Sequence, residues 1–216
     1  AAARKSDGLE KFDKSEIIEA IEYAMRMDSD WCDGLAVAFA FQTGLRFGEH
    51  CALRWCDLDM DKKRVSVVVA KRKAGRGGQF EVGVTKTKLS RRVVPLTPQL
   101  IALLKAWKLR SPYSKEDDLV FPTRRGTYQY DSGNWRSRYL HPACDAVGID
   151  RLRWHDMRHF FASVLLDSFG TDWARIADLM GHDSTDFTRR QYGHWIEPEA
   201  AEDEQASDEL GAAFFG

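Results

Sequence analysis

Four residues within a 40-residue stretch, His155, Arg158, His182 and Tyr192, could do chemistry together. The stretch reads His-Asp-Met-Arg-His, then a helical segment, then Leu-Met-Gly-His, and ends Arg-Arg-Gln-Tyr-Gly-His. A guanidinium, imidazoles and a phenol converging on one point are what phosphoryl transfer through a covalent tyrosine intermediate needs. No metal-ligand spacing competes for these residues.

These groups need elements to aim them. His155 and Arg158 are three apart, and the apolar positions Met157, Phe160, Phe161, Val164 and Leu165 are spaced as on a helix, so both polar groups share a face and can reach one ligand. Gly181 closes the next helical pattern, Trp173 to Met180, where a C-cap glycine would stand, which puts His182 at a helix end. His159, about 100° round the helix from Arg158, is expected to point elsewhere and to pack or hydrogen-bond. For His194 a structural role and a phosphate contact both stay open.

Upstream, Asp13-Lys-Ser-Glu16 resembles a capping box and starts a helix over about 14–27. A second, more apolar helix is expected from about Ser29 to Thr43, closed by Gly44, with a short third helix carrying Glu49, Ala52 and Leu53. Arg46 lies in the turn between them, where short, packed elements can aim it. From Arg64 to Pro95 the period becomes two, with Val65, Val67 and Val69, then Phe80 to Val84, then Val93-Val94. Three antiparallel strands with a basic rim are expected. Helices through Leu100, Leu103, Leu104 and Trp107, and over about 133–147, follow.

A chain of 216 residues, 44% hydrophobic and 12% aromatic, can bury a real core. Nothing approaches the roughly 18 apolar residues of a membrane span, and Ala-Ala-Ala-Arg-Lys-Ser-Asp lacks a signal peptide's apolar core, so a cytoplasmic protein, of a bacterium or of a phage in its host, is expected. Cys32, Cys51, Cys56 and Cys144 read as reduced thiols; Cys51, Cys56 and His50 are the remaining route to a zinc site. The net charge of −1 conceals a division: 197–216 holds seven acids and no Lys or Arg, leaving 32 basic against 26 acidic residues in 1–196. Lys71, Arg72, Lys73, Arg76, Lys86, Lys88, Arg91 and Arg92 face a single acid, Glu81, over 71–92, and form a candidate phosphate-contacting strip, to which Arg189 and Arg190 add. Trp135 and Trp154 could stack or pack near a nucleic acid; the other tryptophans read as core.

Five segments in order resemble the catalytic domain of tyrosine recombinases, the integrase group of phages and mobile elements. Thr43-Gly-Leu-Arg-Phe-Gly-Glu49 resembles that family's first arginine motif and Lys86-Thr-Lys-Leu-Ser-Arg-Arg-Val-Val-Pro-Leu96 its hairpin lysine motif. His155-Asp-Met-Arg-His-Phe-Phe-Ala-Ser163 resembles its second-arginine helix, Gly181-His182 its second histidine site, and Thr188 through Tyr192 to His194 its nucleophile box. The resemblance implies an α+β fold, a mainly helical catalytic domain with a small three-stranded antiparallel sheet on one edge. It implies Tyr192 as nucleophile on a DNA phosphodiester, Arg46 and Arg158 on the non-bridging oxygens, and Lys86 as proton donor to the leaving 5′ oxygen, with Lys88 on the same strand face as the alternative. His155 would assist proton transfer at the tyrosine and His182 would donate to a non-bridging oxygen. Neither ATP nor a metal is implied.

The expected organisation is 1–13 as a linker or a remnant of excision, 14–196 as the catalytic domain, and 197–216 as an acidic tail with a short apolar end. Most members of the family carry a further helical domain ahead of the catalytic one, so either an excised domain, the favoured reading, or a short member of the family is expected. The partners implied are double-stranded DNA attachment sites and further copies of the chain in a tetramer, with Leu210 to Phe215 docking on a neighbour or else a disordered terminus. A type IB topoisomerase and a non-catalytic DNA-binding regulator are the competing classes. The segment Asp183–Tyr192 is expected to be mobile without DNA.

Overall fold

The computed structural model describes residues 13–27, 30–74, 79–84, 91–129 and 131–195. The expected first helix is α1 (Lys14–Met27), whose Asp13 side chain accepts from the N–H groups of Ser15 and Glu16. Ile17, Ala20 and Ala24 face inward at helical spacing. The second helix, α2 (Asp33–Thr43), begins later than its apolar pattern suggests and is buried nearly all round, as its unbroken run of apolar residues requires. Gly44 ends it in the left-handed conformation at φ 59°, its N–H bonded to Ala40 O. A Cβ there would meet Phe161 Cδ1 at 2.3 Å, so no other residue fits without moving the later helix. The third, α3 (Phe47–Ala52), follows after three residues, Gly44 to Arg46.

The β region differs in detail from its pattern. The three-stranded antiparallel sheet is made of β1 (Leu58–Asp59), β2 (Arg64–Val67) and β5 (Arg92–Pro95), in the order β1-β2-β5. Among the described residues, strands β3 (Val69–Ala74) and β4 (Gln79–Val84) form a separate two-stranded pair, Val69 opposite Val84 and Ala74 opposite Gln79. The alternation of Val65, Val67 and Val69 runs straight through the break at Val68, and period alone cannot report that the pairing partner changes there.

Helix α4 (Pro98–Arg110) has Thr97 as N-cap and proline in its first turn. The expected helix over 133–147 is present as α5 (Gly133–Trp135), a π-helical stretch (Arg136–Leu140) and α6 (His141–Val147). Pro142 has no N–H to return to the preceding turn, which accounts for the local widening. The chain closes with α7 (Trp154–Phe169), α8 (Trp173–Met180) and α9 (Thr185–Tyr192), followed by a 3₁₀ turn (Gly193–Trp195). The result is the expected mainly helical α+β architecture with the small sheet on one edge. Among the described residues no helix is long and apolar enough to cross a membrane.

Buried tryptophans tie loops to this core through their ring N–H groups. Trp107 donates to Val120 O at 2.8 Å, Trp31 to Pro122 O at 3.0 Å and Trp55 to Tyr113 O at 2.8 Å. Trp135 and Trp154 are core residues as well, stacked on each other at 5.1 Å, and so are not the nucleic-acid platform their sequence positions allowed. Beside them His50, fully buried, lies flat on Phe121 at 4.7 Å, with Phe39, Trp135 and Trp154 at its edges. Neither of its ring nitrogens has a protein hydrogen-bond partner. Burial pushes its pKa from 6.5 down to about 3.

A histidine whose pKa is lower folded than unfolded binds its proton better in the unfolded chain, so its contribution to stability is full above pH 6.5 and falls as the pH drops towards 3. Urea titrations between pH 7 and 4.5 are expected to show stability falling by up to about 1.4 kcal/mol per pH unit from this one group. His50→Leu should flatten that acid limb; an equally steep limb in the variant would refute the assignment.

Candidate active site

Glu49 is the base on which the cationic residues are set. It sits in the first turn of α3, and its carboxylate reaches back to accept the N–H of the N-cap residue, Arg46, at 2.8 Å. The same carboxylate accepts Arg46 Nη1 at 3.0 Å and, from β5, Arg92 Nη1 at 3.0 Å and Nη2 at 2.9 Å. Burial alone would raise its pKa, but hydrogen bonds and charge from Arg92 and Arg46 more than offset this and hold it below the usual value. The Glu49 and Arg92 side chains are each 3% exposed. Arg92 was grouped with the phosphate-contacting cations; it is instead the buried partner that fixes Glu49 from below.

Three arginines then meet the C-terminal end of α8. Arg92 Nε donates to Leu179 O at 2.9 Å, Arg158 Nη2 to Met180 O, and Arg46 Nη2 to Gly181 O at 2.8 Å. These carbonyls have no onward helical N–H and carry the negative end of the helix dipole, so they attract cations without neutralising them. Gly181 holds the turn in the left-handed conformation at φ 64°, and a Cβ on it would stand 2.7 Å from Arg92 Nη1. Arg158 also donates Nη1 to Gly44 O at 2.7 Å. Arg158 is only 3% exposed, and burial, with the charges of Arg46 and Arg92, pushes its pKa down to about 9, which leaves it charged at neutral pH. Arg46 is more open, its side chain 43% exposed.

The other expected residues divide around this cluster. His155 stands exposed at the start of α7. Partial burial of its ring and the nearby Arg158 charge lower its pKa. His182 is buried just past Gly181, its Nδ1 2.7 Å from Thr188 Oγ1 of α9. Burial and the charges of Arg158, Arg46 and Arg92 lower its pKa to about 3, so it is neutral. The Thr188 hydroxyl has two acceptors in reach, Nδ1 at 2.7 Å and Ser184 O at 3.4 Å; when its proton goes to the nearer Nδ1 the ring proton is on Nε2, the tautomer that can donate to an anion.

Tyr192 ends α9 and is 1% exposed. Burial pushes its phenol up to about 12 against the opposing pull of Arg158 and Arg46. Its hydroxyl meets His159 Nδ1 at 3.1 Å, its ring lies nearly parallel to His182 at 6.2 Å, and Trp195 covers it at 5.1 Å. Within the segment expected to be mobile, Asp183–Tyr192, residues Thr185–Tyr192 form α9, capped by Ser184, with Tyr192 buried.

Lys86, Lys88 and Arg76 lie outside the described residues. Lys71, Arg72 and Lys73 occupy β3, opposite Val82, Glu81 and Phe80. Arg91, Arg189 and Arg190 are exposed. Cys51 is buried, Cys56 exposed and His50 enclosed by aromatic rings, so the zinc constellation does not converge; no group of three His, Cys, Asp or Glu able to hold a metal occurs among the described residues.

His159 packs and hydrogen-bonds as expected, but neither its partner Tyr192 nor the inward face of Arg92 was foreseen. His159 was measured against Arg158, but it lies four residues after His155, the spacing that shares a helix face, and the two rings meet edge to face at 4.6 Å. Arg92 lies two before Val94 and four before Leu96, both buried, so strand alternation pointed it inward.

Against known proteins, the sequence model of the Phage integrase family matches residues 9–197. The ICEBs1 integrase of Bacillus subtilis strain 168 is 35% identical over 161 residues, covering 72% of this chain and 43% of that protein. A tyrosine recombinase XerC-like protein of Caldanaerobacter subterraneus is 30% identical over 175 residues, covering 73% and 44%. This chain therefore spans less than half the length of either. Among solved structures, the Tn1549 transposon integrase in complex with transposon right end DNA superposes with a TM-score of 0.75 at 18% identity, over 95% of this chain and 68% of that one. A lambda integrase dimer bound to a core site superposes at 0.53 and 19%, over 88% and 51%. Both share the fold.

Removing the Glu49 charge strands Arg92 in a buried position. Glu49→Gln is expected to lower unfolding stability by about 3 kcal/mol, the cost of breaking a buried ion pair from one side. Equilibrium urea denaturation measures it, and a loss below about 1 kcal/mol would show that Glu49 is not the support described.

Proposed function

The chain belongs to the phage integrase family, and we propose that it is the catalytic unit, residues 14–196, of a site-specific DNA recombinase that integrates and excises a phage or mobile element. The observation that carries this reading is the cationic surplus at the end of α8: Arg46, Arg92 and Arg158 converge on carbonyls 179–181, with Glu49 as the carboxylate among them. A guanidinium has five N–H donors, so Arg46 and Arg158 keep donors for the non-bridging oxygens of a phosphodiester while two each are held by the protein.

In the proposed reaction the Tyr192 oxygen attacks phosphorus and the bond to the 5′ oxygen breaks, giving a 3′-phosphotyrosyl link and a 5′-hydroxyl. The phenol proton leaves by way of His155, and Lys86 supplies the proton that the 5′ oxygen takes up. Arg46, Arg158 and the Nε2 proton of His182 stabilise the added negative charge on phosphorus. Attack by the 5′-hydroxyl of another strand reverses the step, so the phosphodiester energy is kept and the strand rejoined. Lys71, Arg72, Lys73, Arg76, Lys88, Arg91, Arg189 and Arg190 would contact the backbone, and the partner is double-stranded DNA carrying attachment sites. Assembly of further copies into a tetramer on that DNA, through the tail 197–216, is part of the same proposal; the lambda integrase dimer on its core site supports association of copies on DNA and no more than that.

A nicked suicide DNA substrate tests the reading. Wild-type protein is expected to form a covalent adduct that is absent in Tyr192→Phe and about 100-fold slower in Arg158→Lys, because an ammonium cannot reproduce the fork. DNA binding without any adduct would instead favour a non-catalytic regulator, and relaxation of arbitrary supercoiled DNA a topoisomerase.

A further inference from the structure

His159 has no part in the reaction as set out above, yet it makes the hydrogen bond to the Tyr192 hydroxyl, Nδ1 to Oη 3.1 Å. We propose that His159 is a positioning residue for the nucleophile, holding the phenol in a withdrawn pose that the hydroxyl must leave before it can attack. This rests on the reading of Tyr192 as nucleophile.

Geometry comes first. Both residues are buried, Tyr192 to 1% exposure, and the tyrosine ring is enclosed by His159 at 5.8 Å, His182 at 6.2 Å and Trp195 at 5.1 Å. In-line attack needs the phenol oxygen within roughly 3–3.5 Å of phosphorus. A duplex backbone cannot bring its phosphate that close to an oxygen enclosed in this way. The hydroxyl therefore has to come out, and the bond to His159 is the polar contact broken when it does.

The direction of that bond follows from its surroundings. The groups around His159 are His155, Asp156 and Arg158 on α7, Arg153 just before it, and Tyr192 from α9; burial, then the His155 ring, lower its pKa to about 4. It is neutral at physiological pH, and in the tautomer that carries its proton on Nε2 the phenol donates and Nδ1 accepts. The phenol stands at about 12, which leaves a gap of about eight pH units against proton transfer between them. In this pose the imidazole holds the proton on the tyrosine and does not remove it. His159 is thus separated from His155, four residues earlier at the exposed rim, as a resting-state contact from a candidate proton acceptor.

N-acetylimidazole, which acylates accessible tyrosines, reads the pose in the DNA-free chain when the modified peptides are mapped by mass spectrometry. Tyr192 is expected to be protected in the wild type and modified roughly fivefold faster in His159→Leu, the factor given by one net hydrogen bond. His159→Asn, whose Oδ1 stands near the position of Nδ1, should restore protection. Equal behaviour of the Leu and Asn variants, or wild-type protection in both, would overturn the proposal; the Asn variant decides even if the Leu variant folds poorly. At saturating nicked DNA the first-turnover rate of His159→Leu should equal or exceed that of the wild type. A loss of tenfold or more that Asn rescues would overturn the resting role and move His159 into the chemistry. The labelling arm needs no DNA, so failure to form any adduct would remove the nucleophile assignment without deciding the labelling result.

Discussion

One buried carboxylate, Glu49, accepts four hydrogen bonds, three from guanidinium nitrogens of two arginines and one from the backbone at the start of α3. Taking that charge out of water is costly, and the arrangement survives only because the donors come from three fixed directions: a helix N-terminus, an exposed arginine and a buried strand residue. Each donor in turn places an element. Arg46 fixes the turn after α2, Arg92 fixes β5 against α8, and the shared acceptor keeps the two guanidinium groups side by side although like charges repel.

The second constraint is how the arginines are held on their other side. An arginine pinned by carboxylates alone would offer an incoming phosphate little net charge. Here the remaining contacts go to backbone carbonyls at two glycine-closed helix ends, Gly44 after α2 and Gly181 after α8. Carbonyl dipoles orient the forks and leave the charge in place. That explains why both glycines stand at positive φ with a side chain close against them, Phe161 at one and Arg92 at the other.

Much of this was legible in the chain. Glu49 three residues after Arg46 is the spacing of a helix-start reach-back, and Gly181 before His182 is a helix end; both follow from local backbone physics. The helix from Trp154 was visible in its apolar period, and with it the shared face of His155 and Arg158. What escaped depends on contacts distant in sequence. Arg92 looked like one more surface cation because its partner Glu49 lies 43 residues away. His159 looked peripheral because nothing local announces that Tyr192, 33 residues on, will turn its hydroxyl inward. The strand pairing was misread at Val68 because alternation records which face is buried and not which neighbour is bonded, and β1, at two residues, is too short to leave a period.

Helix α9 carries two groups that serve the same centre from different sides. Tyr192 brings the phenol, and Thr188, one turn earlier, brings the hydroxyl that sets the ring of His182. Any displacement of α9 large enough to carry off the tyrosine also removes the hydroxyl, leaving His182 without its Thr188 contact. Release of the phenol from His159 by a side-chain movement therefore leaves the Thr188–His182 contact in place, whereas a shift of the whole helix loses both.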